Sequence, residues 1–184
     1  MAIDTMLWRR LDTGGHDACR LVQGDDSWRL EGAATFRNQD VPACLAYAVE
    51  CDCGWRLREG FVHGWVGAST LDFRIMRTPH GIWTLNGRIV PHLDGCIDLD
   101  FGFTPATNLI HIRRVALPVG QAVDVPVAWL DISAGTLNTL HQRYDRRAVE
   151  EYWYEAAEFD YFAQLKVNAV GFVVEYPGLW EAEL

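Results

Sequence analysis

The sequence of 184 residues has almost no lysine and no run of basic residues. Lys166 is the one lysine, fifteen arginines supply the other positive side chains, and the formal net charge is −9 at pH 7. Such a charge repels a phosphate backbone, and no local basic stripe offsets it. The sequence therefore argues against nucleic acid as a partner.

Long apolar runs are also missing. The longest apolar stretches, such as residues 167–174, are interrupted by Asn or Gly and fall far short of the roughly 20 residues that a membrane-spanning helix needs. The first ten residues, MAIDTMLWRR, lack the apolar core of a signal peptide. We expect a protein that does not span a membrane and that resides in the cytoplasm.

Standard catalytic and metal-binding motifs are absent as well. The chain contains no Gly-x-Ser-x-Gly, phosphate-binding loop, dinucleotide fingerprint or His-Glu-x-x-His. Cys51 and Cys53, with His63 nearby, suggest zinc, but no second Cys/His pair has the spacing of a zinc finger. Five cysteines, an odd number, indicate free thiols in a reducing compartment. We expect no metal, no cofactor and no enzymatic activity.

What the sequence does contain is apolar and aromatic side chains. Hydrophobic residues make up 49% of the chain, and eight of them are tryptophans. A chain of this length and composition can bury one large core and still have aromatic surface for a concave site. With no linker, repeat or low-complexity tract, we expect one domain over residues 1–184.

Short segments with a period of two, separated by turn signals, predict an antiparallel sheet. The strongest turn signal is Asn86-Gly87, between two apolar segments, and it predicts a tight hairpin because both residues tolerate positive φ. Pro126 suggests that its strand lies at an edge. The turn signals and the later strands are as follows: turns at residues 23–26, 79–81 and 177–178, and strands at residues 123–129, 152–156, 161–167 and 172–176.

Alternation between residues 45 and 58 assigns the two faces of the sheet. One face is apolar and includes Cys51, Cys53 and Trp55, whereas the other carries charged residues. A sheet of this many strands must curl to hide its apolar face. The fold class predicted is therefore all-β, mainly antiparallel, with a strongly curved sheet that forms an unclosed β-barrel.

Helix is scarce, with at most one or two short segments expected. The best candidate spans residues 104–114, where Thr104 can cap and Pro105 fits the first helical position. If the end of this segment is instead extended, Arg113 and Arg114 point to opposite faces and one of them reaches inward. An inward arginine requires an anion, which is a buried aspartate or an anionic group of a ligand.

Asp98 and Asp100 lie on one face of a predicted strand, about 7 Å apart. They could bind a cation, contact a hydroxylated ligand or act as the acid pair of a glycosidase. They could equally form ion pairs with arginines of neighbouring segments. The candidate arginines are Arg56, Arg58, Arg113 and Arg114. Nearby His111 could transfer a proton, although an isolated histidine is more often a hydrogen-bonding residue.

The order of several short motifs is typical of a known family. They are Cys51-Asp52-Cys53-Gly54-Trp55-Arg56-Leu57-Arg58, Gly95-Cys96-Ile97-Asp98-Leu99-Asp100, Thr104-Pro105-Ala106-Thr107-Asn108 and Ile112-Arg113-Arg114. Over nearly its whole length the chain resembles the putative glycolipid-binding family of bacteria. In one departure, Ile110-His111 stands where that family commonly has Leu-Pro.

The resemblance implies a fold similar to that of the bacterial lipoprotein carrier and acceptor proteins, which is an unclosed barrel around an apolar cavity. It implies a cytoplasmic protein and assigns no catalytic residue. The function expected is binding or carriage of a hydrophobic or amphipathic ligand, such as a lipid or glycolipid. Alternatives are a non-catalytic interaction protein that forms a homodimer, or a hydrolase of lipids or sugars.

If the protein binds an amphipathic ligand, apolar chains pack on the Trp/Phe/Leu face and polar residues meet the head group. The ligand-binding residues predicted are Asp52, Trp55, Arg56, Arg58, Asp98, Asp100, Asn108, Arg113 and Arg114.

Overall fold

The protein forms one fifteen-stranded sheet, which the computed structural model describes for residues 2–183. The strands are β1 Ala2–Arg10, β2 Gly15–Gln23, β3 Ser27–Asn38, β4 Val41–Asp52, β5 Leu57–Val66, β6 Ser69–Arg77, β7 Trp83–Leu85, β8 Arg88–Val90, β9 Asp98–Phe101, β10 Ala122–Asp131, β11 Thr136–Ala148, β12 Glu151–Ala156, β13 Tyr161–Val167, β14 Val173–Tyr176 and β15 Trp180–Ala182. One α-helix, α1 Asn108–Val115, and a 3₁₀ turn at Ala157–Phe159 complete the secondary structure of this part of the chain.

Two antiparallel meanders, β1 to β8 and β10 to β15, are joined where β1 pairs with β15. The sheet order therefore ends at β8 and at β9, and β9 pairs parallel to β10. Because β8 and β9 are not hydrogen-bonded neighbours anywhere in residues 2–183, the barrel is unclosed. This confirms the predicted fold class, a mainly antiparallel all-β sheet with little helix.

The segment between the two meanders fills much of the barrel. All four residues of β9 are buried, because its two faces meet different parts of the interior. Leu99 packs so tightly on β5 that a Cβ added at Gly60 would lie 2.4 Å from Leu99 Cδ2. The opposite face of β9 carries Asp98 and Asp100 toward α1 and β11.

The predicted local elements are largely present. Asn86 and Gly87 both have positive φ, 49° and 76°, and join β7 to β8, which confirms the hairpin. The alternation from residue 45 to 58 is interrupted, however, since a turn separates β4 from β5. Cys53 lies in that turn and is exposed, so its assignment to the apolar face was wrong.

The helix begins later than its sequence predicts. Thr107, not Thr104, occupies the N-cap position of α1. The preceding backbone forms single tight turns, in which the N–H of Asn108 bonds the carbonyl of Pro105. Thr104 instead accepts a hydrogen bond from the N–H of Ala106 and donates one to Asp17. Its hydroxyl therefore orders the loop before the helix rather than the helix itself.

Pro126 lies in β10, which has neighbours on both sides, so the strand is not an edge strand throughout. The pairing with β9 begins only at Val127, however. Pro126 therefore belongs to the part of β10 that has β11 as its one partner, where a missing N–H removes no ladder bond on the other side.

Candidate functional site

A cluster of charges lies between β9 and α1. Asn108, His111 and Arg114 are spaced three residues apart in α1, so the helix presents them on one face. Arg114 donates from Nε and Nη2 to the two carboxylate oxygens of Asp98, both at 2.7 Å. Asp98 is fully buried, so this bidentate pair compensates a charge that water cannot reach.

His111 lies between the two carboxylates of β9. Its Nδ1 is 3.7 Å from Asp98 Oδ2, and its Nε2 is 3.7 Å from Asp100 Oδ2. Burial opposes the charge on the imidazole, but Asp100 and Asp98 together outweigh it and raise the pKa of His111 to about 9. Burial likewise works against ionisation of Asp98, yet His111 and Arg114 hold the pKa of that carboxyl below its usual value.

Neutral side chains extend this cluster toward β11. Gln142 donates from Nε2 to Asp100 Oδ2 at 2.6 Å, and its Oε1 accepts a hydrogen bond from the Tyr144 hydroxyl at 3.2 Å. Asn108 in turn donates to that hydroxyl at 2.8 Å. We name the connected residues the central network. Its members are Asp98, Asp100, Asn108, His111, Arg114, Gln142 and Tyr144.

At one end of the barrel the central network borders a cavity of about 440 Å³. Three members of the network belong to its lining, Asp100, Asn108 and Gln142, and the other polar residues of the wall are Arg10, Asn38, Thr104, Asp131 and Ser133. We name this space the end cavity. Most of its remaining wall is aromatic or aliphatic, with Phe36, Phe103, Trp129, Leu130, Leu140, Tyr154, Ala156, Phe159, Tyr161, Tyr176, Leu179 and Trp180.

A second buried polar cluster adjoins the wall of the end cavity. Asp17 is fully buried and accepts hydrogen bonds from the hydroxyls of Tyr47 and Thr104. Burial raises the pKa of Asp17 to about 7, although both hydrogen bonds act in the opposite direction. Thr104 also lines the end cavity, so the cluster is one side chain away from that space.

The structure brings four of the nine predicted site residues into the central network, namely Asp98, Asp100, Asn108 and Arg114. Of the four arginines that could have paired with the β9 aspartates, only Arg114 does so within residues 2–183. Arg56 and Arg58 are exposed. The positive groups next to the two carboxylates are therefore the side chains of α1.

The other five predicted residues lie around the opposite end of the barrel. Asp52 orders the turn between β4 and β5 by accepting hydrogen bonds from the N–H groups of Gly54 and Arg56. Trp55 stacks on Trp28 with ring centroids 4.6 Å apart. Arg113 lies over the Trp55 ring at 5.4 Å, and Arg58 is 3.7 Å from Asp26. None of these five lines the end cavity.

Sequence reasoning missed Gln142 and Tyr144 and left His111 out of the predicted site. The signal for His111 was the spacing of Asn108, His111 and Arg114, which is meaningful only once the segment is taken as a helix. No comparable signal marks Gln142, which occupies an inward position of β11 where an apolar residue is the usual occupant.

Two further observations concern metal binding and membrane-spanning helices. Within residues 2–183, no group of three or more His, Cys, Asp and Glu side chains is arranged to bind a metal ion. In the same part of the chain, no helix is long and apolar enough to cross a membrane.

Fold and site together define a class of protein, an unclosed antiparallel barrel with a charged network in its interior and an aromatic cavity at one end. The sequence model of a family described as putative glycolipid-binding matches residues 5–182. The chain belongs to this family. No curated protein matches it.

A solved structure supports the same assignment. A crystal structure of a DUF1089 family protein from Pseudomonas aeruginosa is similar to this chain, with a TM-score of 0.79 and 28% sequence identity. The match covers 90% of this chain and 91% of the other. The similarity therefore extends over nearly the whole barrel.

Proposed function

We propose that this protein is a non-catalytic binding protein that takes an amphipathic, lipid-like ligand into the end cavity. The observation that carries the proposal is the composition of that cavity, a mostly aromatic and aliphatic wall that also includes buried polar side chains of the central network. Its volume of about 440 Å³ falls in the range of roughly 300–1,000 Å³ that is common for small-molecule sites. The family description, which concerns glycolipids, is consistent with such a ligand.

The ligand is expected in the end cavity rather than along the whole barrel axis. β9 and α1 place Leu99, Phe101, Leu109 and Ile110 in the interior, and all four are almost completely buried. Packed interiors have few voids larger than a water molecule, so a long acyl chain has no path past this segment. A short part of the ligand therefore enters the protein, and the remainder stays at the opening.

Among the nine predicted ligand-binding residues, we propose Asp100 and Asn108 as direct contacts because both line the end cavity. Asp98 and Arg114 hold the network in place from the side away from that space. Asp52, Trp55, Arg56, Arg58 and Arg113 lie at the opposite end of the barrel, so we do not propose them as contacts of a ligand in the end cavity.

Hydrolysis by an acid pair fits the geometry poorly, which supports a non-catalytic role. A glycosidase needs two carboxyl groups that flank one bond. Asp100 lines the end cavity, but Asp98 does not and is fully buried against Arg114. The two aspartates also have His111 between them, so they cannot act on the same bond.

A homodimer is a second candidate, favoured by the free edge of β8. Ile89 of this edge strand is 71% exposed, and an exposed edge can pair with another chain. The strand is only three residues long and contains Arg88, which weakens such pairing. A single mass equal to one chain in light scattering would reject the dimer.

The cytoplasmic location and the lack of a nucleic-acid partner remain predictions.

The experiment that tests the binding function is native mass spectrometry of gently extracted protein. A discrete small-molecule adduct that is lost on denaturation is the expected result. In Ala156→Phe the added ring occupies the end cavity, since Ala156 is a buried part of its wall, and the adduct should disappear. Ala68→Phe adds the same ring at an exposed turn and should keep it.

Two outcomes contradict this proposal. The first is an adduct that persists in folded Ala156→Phe, which would place the ligand elsewhere. The second is a wild-type protein that carries no adduct and also takes up no alkyl glycoside, alkyl phosphate or alkanol when these are added.

A further inference from the structure

A second cavity lies at the opposite end of the barrel and shares no lining residue with the end cavity. Its volume is about 470 Å³, within the range of roughly 300–1,000 Å³ that is common for small-molecule sites. Most of its wall is apolar, but two arginines belong to it. We name it the arginine cavity, and its wall includes Trp55, Arg113, Arg146, Val149, Tyr152 and Val170.

Arg113 brings to this cavity a guanidinium without an anionic partner. The residue is exposed, and within residues 2–183 its side chain forms no ion pair and donates no hydrogen bond. It is nevertheless held in position. A Cβ added at Gly171 would lie 3.5 Å from Arg113 Cδ, and the guanidinium lies 5.4 Å from the centroid of the Trp55 ring. A stacked guanidinium keeps all five of its N–H donors available to a ligand.

The turn that carries Trp55 fixes the ring beneath Arg113. Trp55 has a φ of 64°, in the left-handed region that bulky side chains rarely adopt. Asp52 holds this conformation, because its carbonyl accepts a hydrogen bond from the Trp55 N–H and its carboxylate accepts two more from backbone N–H groups of the same turn. The indole also stacks on Trp28 at 4.6 Å. The aromatic support of Arg113 is therefore rigid.

Arg146 is oriented by backbone carbonyl groups and not by a carboxylate. Its Nε donates to Ala148 at 3.3 Å, and its Nη1 donates to Leu117 at 2.8 Å. Its Nη2 donates to Val149 at 2.6 Å, and the guanidinium lies 5.4 Å from the centroid of the Tyr152 ring. Carbonyl groups orient the guanidinium without neutralising its full charge, and two of its five N–H groups remain free.

The arginine cavity is therefore a positive site on an acidic protein. Most of the fifteen arginines form ion pairs with carboxylates, but Arg113 and Arg146 form none with residues 2–183. Glu150 is the one acidic residue in the described lining, and its exposed carboxylate pairs with neither arginine. The formal charge of this lining is positive, although the whole chain carries −9.

We propose that the arginine cavity binds a phosphate monoester, whose phosphate is held by Arg113 and Arg146 and whose apolar substituent lies against the aliphatic wall. A phosphate monoester carries a charge of about −1.5 to −2 at pH 7 and three acceptor oxygens, so it can bond two guanidinium groups at once. A carboxylate, with one charge and two oxygens, is satisfied by a single arginine.

The phosphate belongs either to a soluble ester or to a lipid head group such as phosphatidic acid, since both present the same chemistry. This site is separate from the end cavity, and β9 and α1 fill the interior between them. The inference therefore does not depend on the function proposed for the end cavity.

Calorimetric titration of the wild-type protein with four soluble probes tests the proposal. They are phenyl phosphate, phenol, benzoate and inorganic phosphate. We expect phenyl phosphate to bind one to one, about tenfold or more tightly than each of the others. Phenol lacks the charged group, benzoate replaces phosphate by carboxylate, and inorganic phosphate lacks the apolar substituent that the wall would bury.

A matched pair of variants locates the site. Arg113→Ala should weaken the binding of phenyl phosphate about tenfold or more, and Arg113→Lys should restore only part of it, since lysine keeps the charge but not the planar fork. Arg88→Ala is the control. Arg88 is exposed, lies on the edge strand β8 outside this cavity and also has no ion pair within residues 2–183, so removing its charge should leave the affinity unchanged.

Cosedimentation with phosphatidylcholine vesicles, with and without phosphatidic acid, distinguishes the two sources. Binding that requires phosphatidic acid and is lost in Arg113→Ala assigns the phosphate to a lipid. Binding of phenyl phosphate without binding of these vesicles assigns it to a soluble ester.

Three results would overturn the inference. The first is phenol, benzoate or inorganic phosphate binding as tightly as phenyl phosphate. The second is an equal effect of Arg113→Ala and Arg88→Ala. The third is a wild-type protein that binds neither phenyl phosphate nor vesicles containing phosphatidic acid. None of these results bears on the adduct expected in the end cavity, whose loss in Ala156→Phe is measured separately.

Discussion

Arg114 holds Asp98 through two hydrogen bonds of 2.7 Å, one to each carboxylate oxygen. The pair joins α1 to β9, two elements that the chain brings together inside the barrel. Arg114 retains 20% side-chain exposure, whereas the Asp98 side chain has none. The carboxylate therefore depends on its protein partners, because water cannot replace them.

Arg114→Ala should accordingly lower the free energy of unfolding by about 3–5 kcal/mol, since it leaves a buried charge without its main partner. Arg113→Ala is the matched control. Arg113 is the neighbouring residue, is exposed and lies over Trp55, so its loss should cost only about 0.5–1 kcal/mol. Urea unfolding at pH 7 gives both values, and equal losses would mean that the Asp98 pair contributes little.

Arg56 differs from Arg114 in its exposure, which changes the expectation from the sequence that Arg56 contributes to stability. Arg56 was one of the arginines that could have paired with Asp98, and a buried pair would have made both residues important for stability. Arg56 is exposed, so Arg56→Ala should behave as an ordinary surface substitution, within about 0.5 kcal/mol.

His111 should make stability depend on pH above neutrality. Its folded pKa is about 9 against an ordinary value of 6.5. The stability contributed by the charged imidazole is therefore complete below pH 6.5 and is lost as pH rises through about 9. The total is on the order of 3 kcal/mol.

Denaturant unfolding of wild type and His111→Gln at pH 6 and pH 10 measures this contribution. Buried cysteines and tyrosines also titrate on unfolding in this range, so the informative quantity is the wild-type value minus the variant value. That difference should shrink by a few kcal/mol between the two pH values. His63→Gln, at an exposed position, should give a constant difference, and a constant difference for His111→Gln would show that its charge is not coupled to folding.

Much of the barrel could be predicted from the sequence because most of the long strands alternate between core and solvent. Residues 161–167, for example, were predicted as a strand and coincide with β13. The strand β11 was not predicted, since its inward face includes Gln142 and its outward face carries several charges. Hydrophobic periodicity does not detect a strand whose buried position is polar.

The site was harder to predict than the fold, for a physical reason. Asp98, Asp100 and Arg114 were proposed as charged partners, and Arg114 does pair with Asp98, whereas Asp100 contacts His111 and Gln142. Which arginine pairs with which aspartate depends on the path of the chain through the barrel, and short motifs do not specify that path. At the position where the family resemblance suggests proline, this chain has His111, and the imidazole lies between the two carboxylates.

Asp17 should affect stability at lower pH than His111 does. Its folded pKa is about 7, raised from 3.8 by burial. Because the folded pKa is raised, the associated stability is complete below pH 3.8 and is lost as pH rises through about 7. Asp17→Asn removes this dependence, so the wild-type value minus the variant value should fall by on the order of 2 kcal/mol or more between pH 5 and pH 8.

Thermal or urea unfolding of Asp17→Asn at those two pH values provides the measurement. Asp25→Asn is the control, because Asp25 lies in the exposed turn between β2 and β3. Its difference from wild type should be the same at both pH values. A pH-independent difference for Asp17→Asn would mean that Asp17 stays ionised in the folded protein throughout this range.

Gly60 provides the last test, which concerns how β9 is held against β5. A Cβ at this position would lie 2.4 Å from Leu99 Cδ2, and Leu99 is fully buried and has little freedom to move. Gly60→Ala should therefore destabilise the protein by about 1–3 kcal/mol through overpacking. This cost exceeds the roughly 0.4–1 kcal/mol that alanine gains by restricting the unfolded chain.

A double-mutant cycle with Leu99→Ala isolates that contact. Leu99→Ala alone leaves a cavity and should cost about 2–5 kcal/mol. In the double variant, the alanine methyl at position 60 enters space that the leucine has vacated, so the combined loss should be smaller than the sum of the single losses by at least about 0.5 kcal/mol. Additive losses would show that β9 does not approach β5 at Gly60. In that case the segment that separates the end cavity from the rest of the barrel would be less firmly packed than its burial indicates.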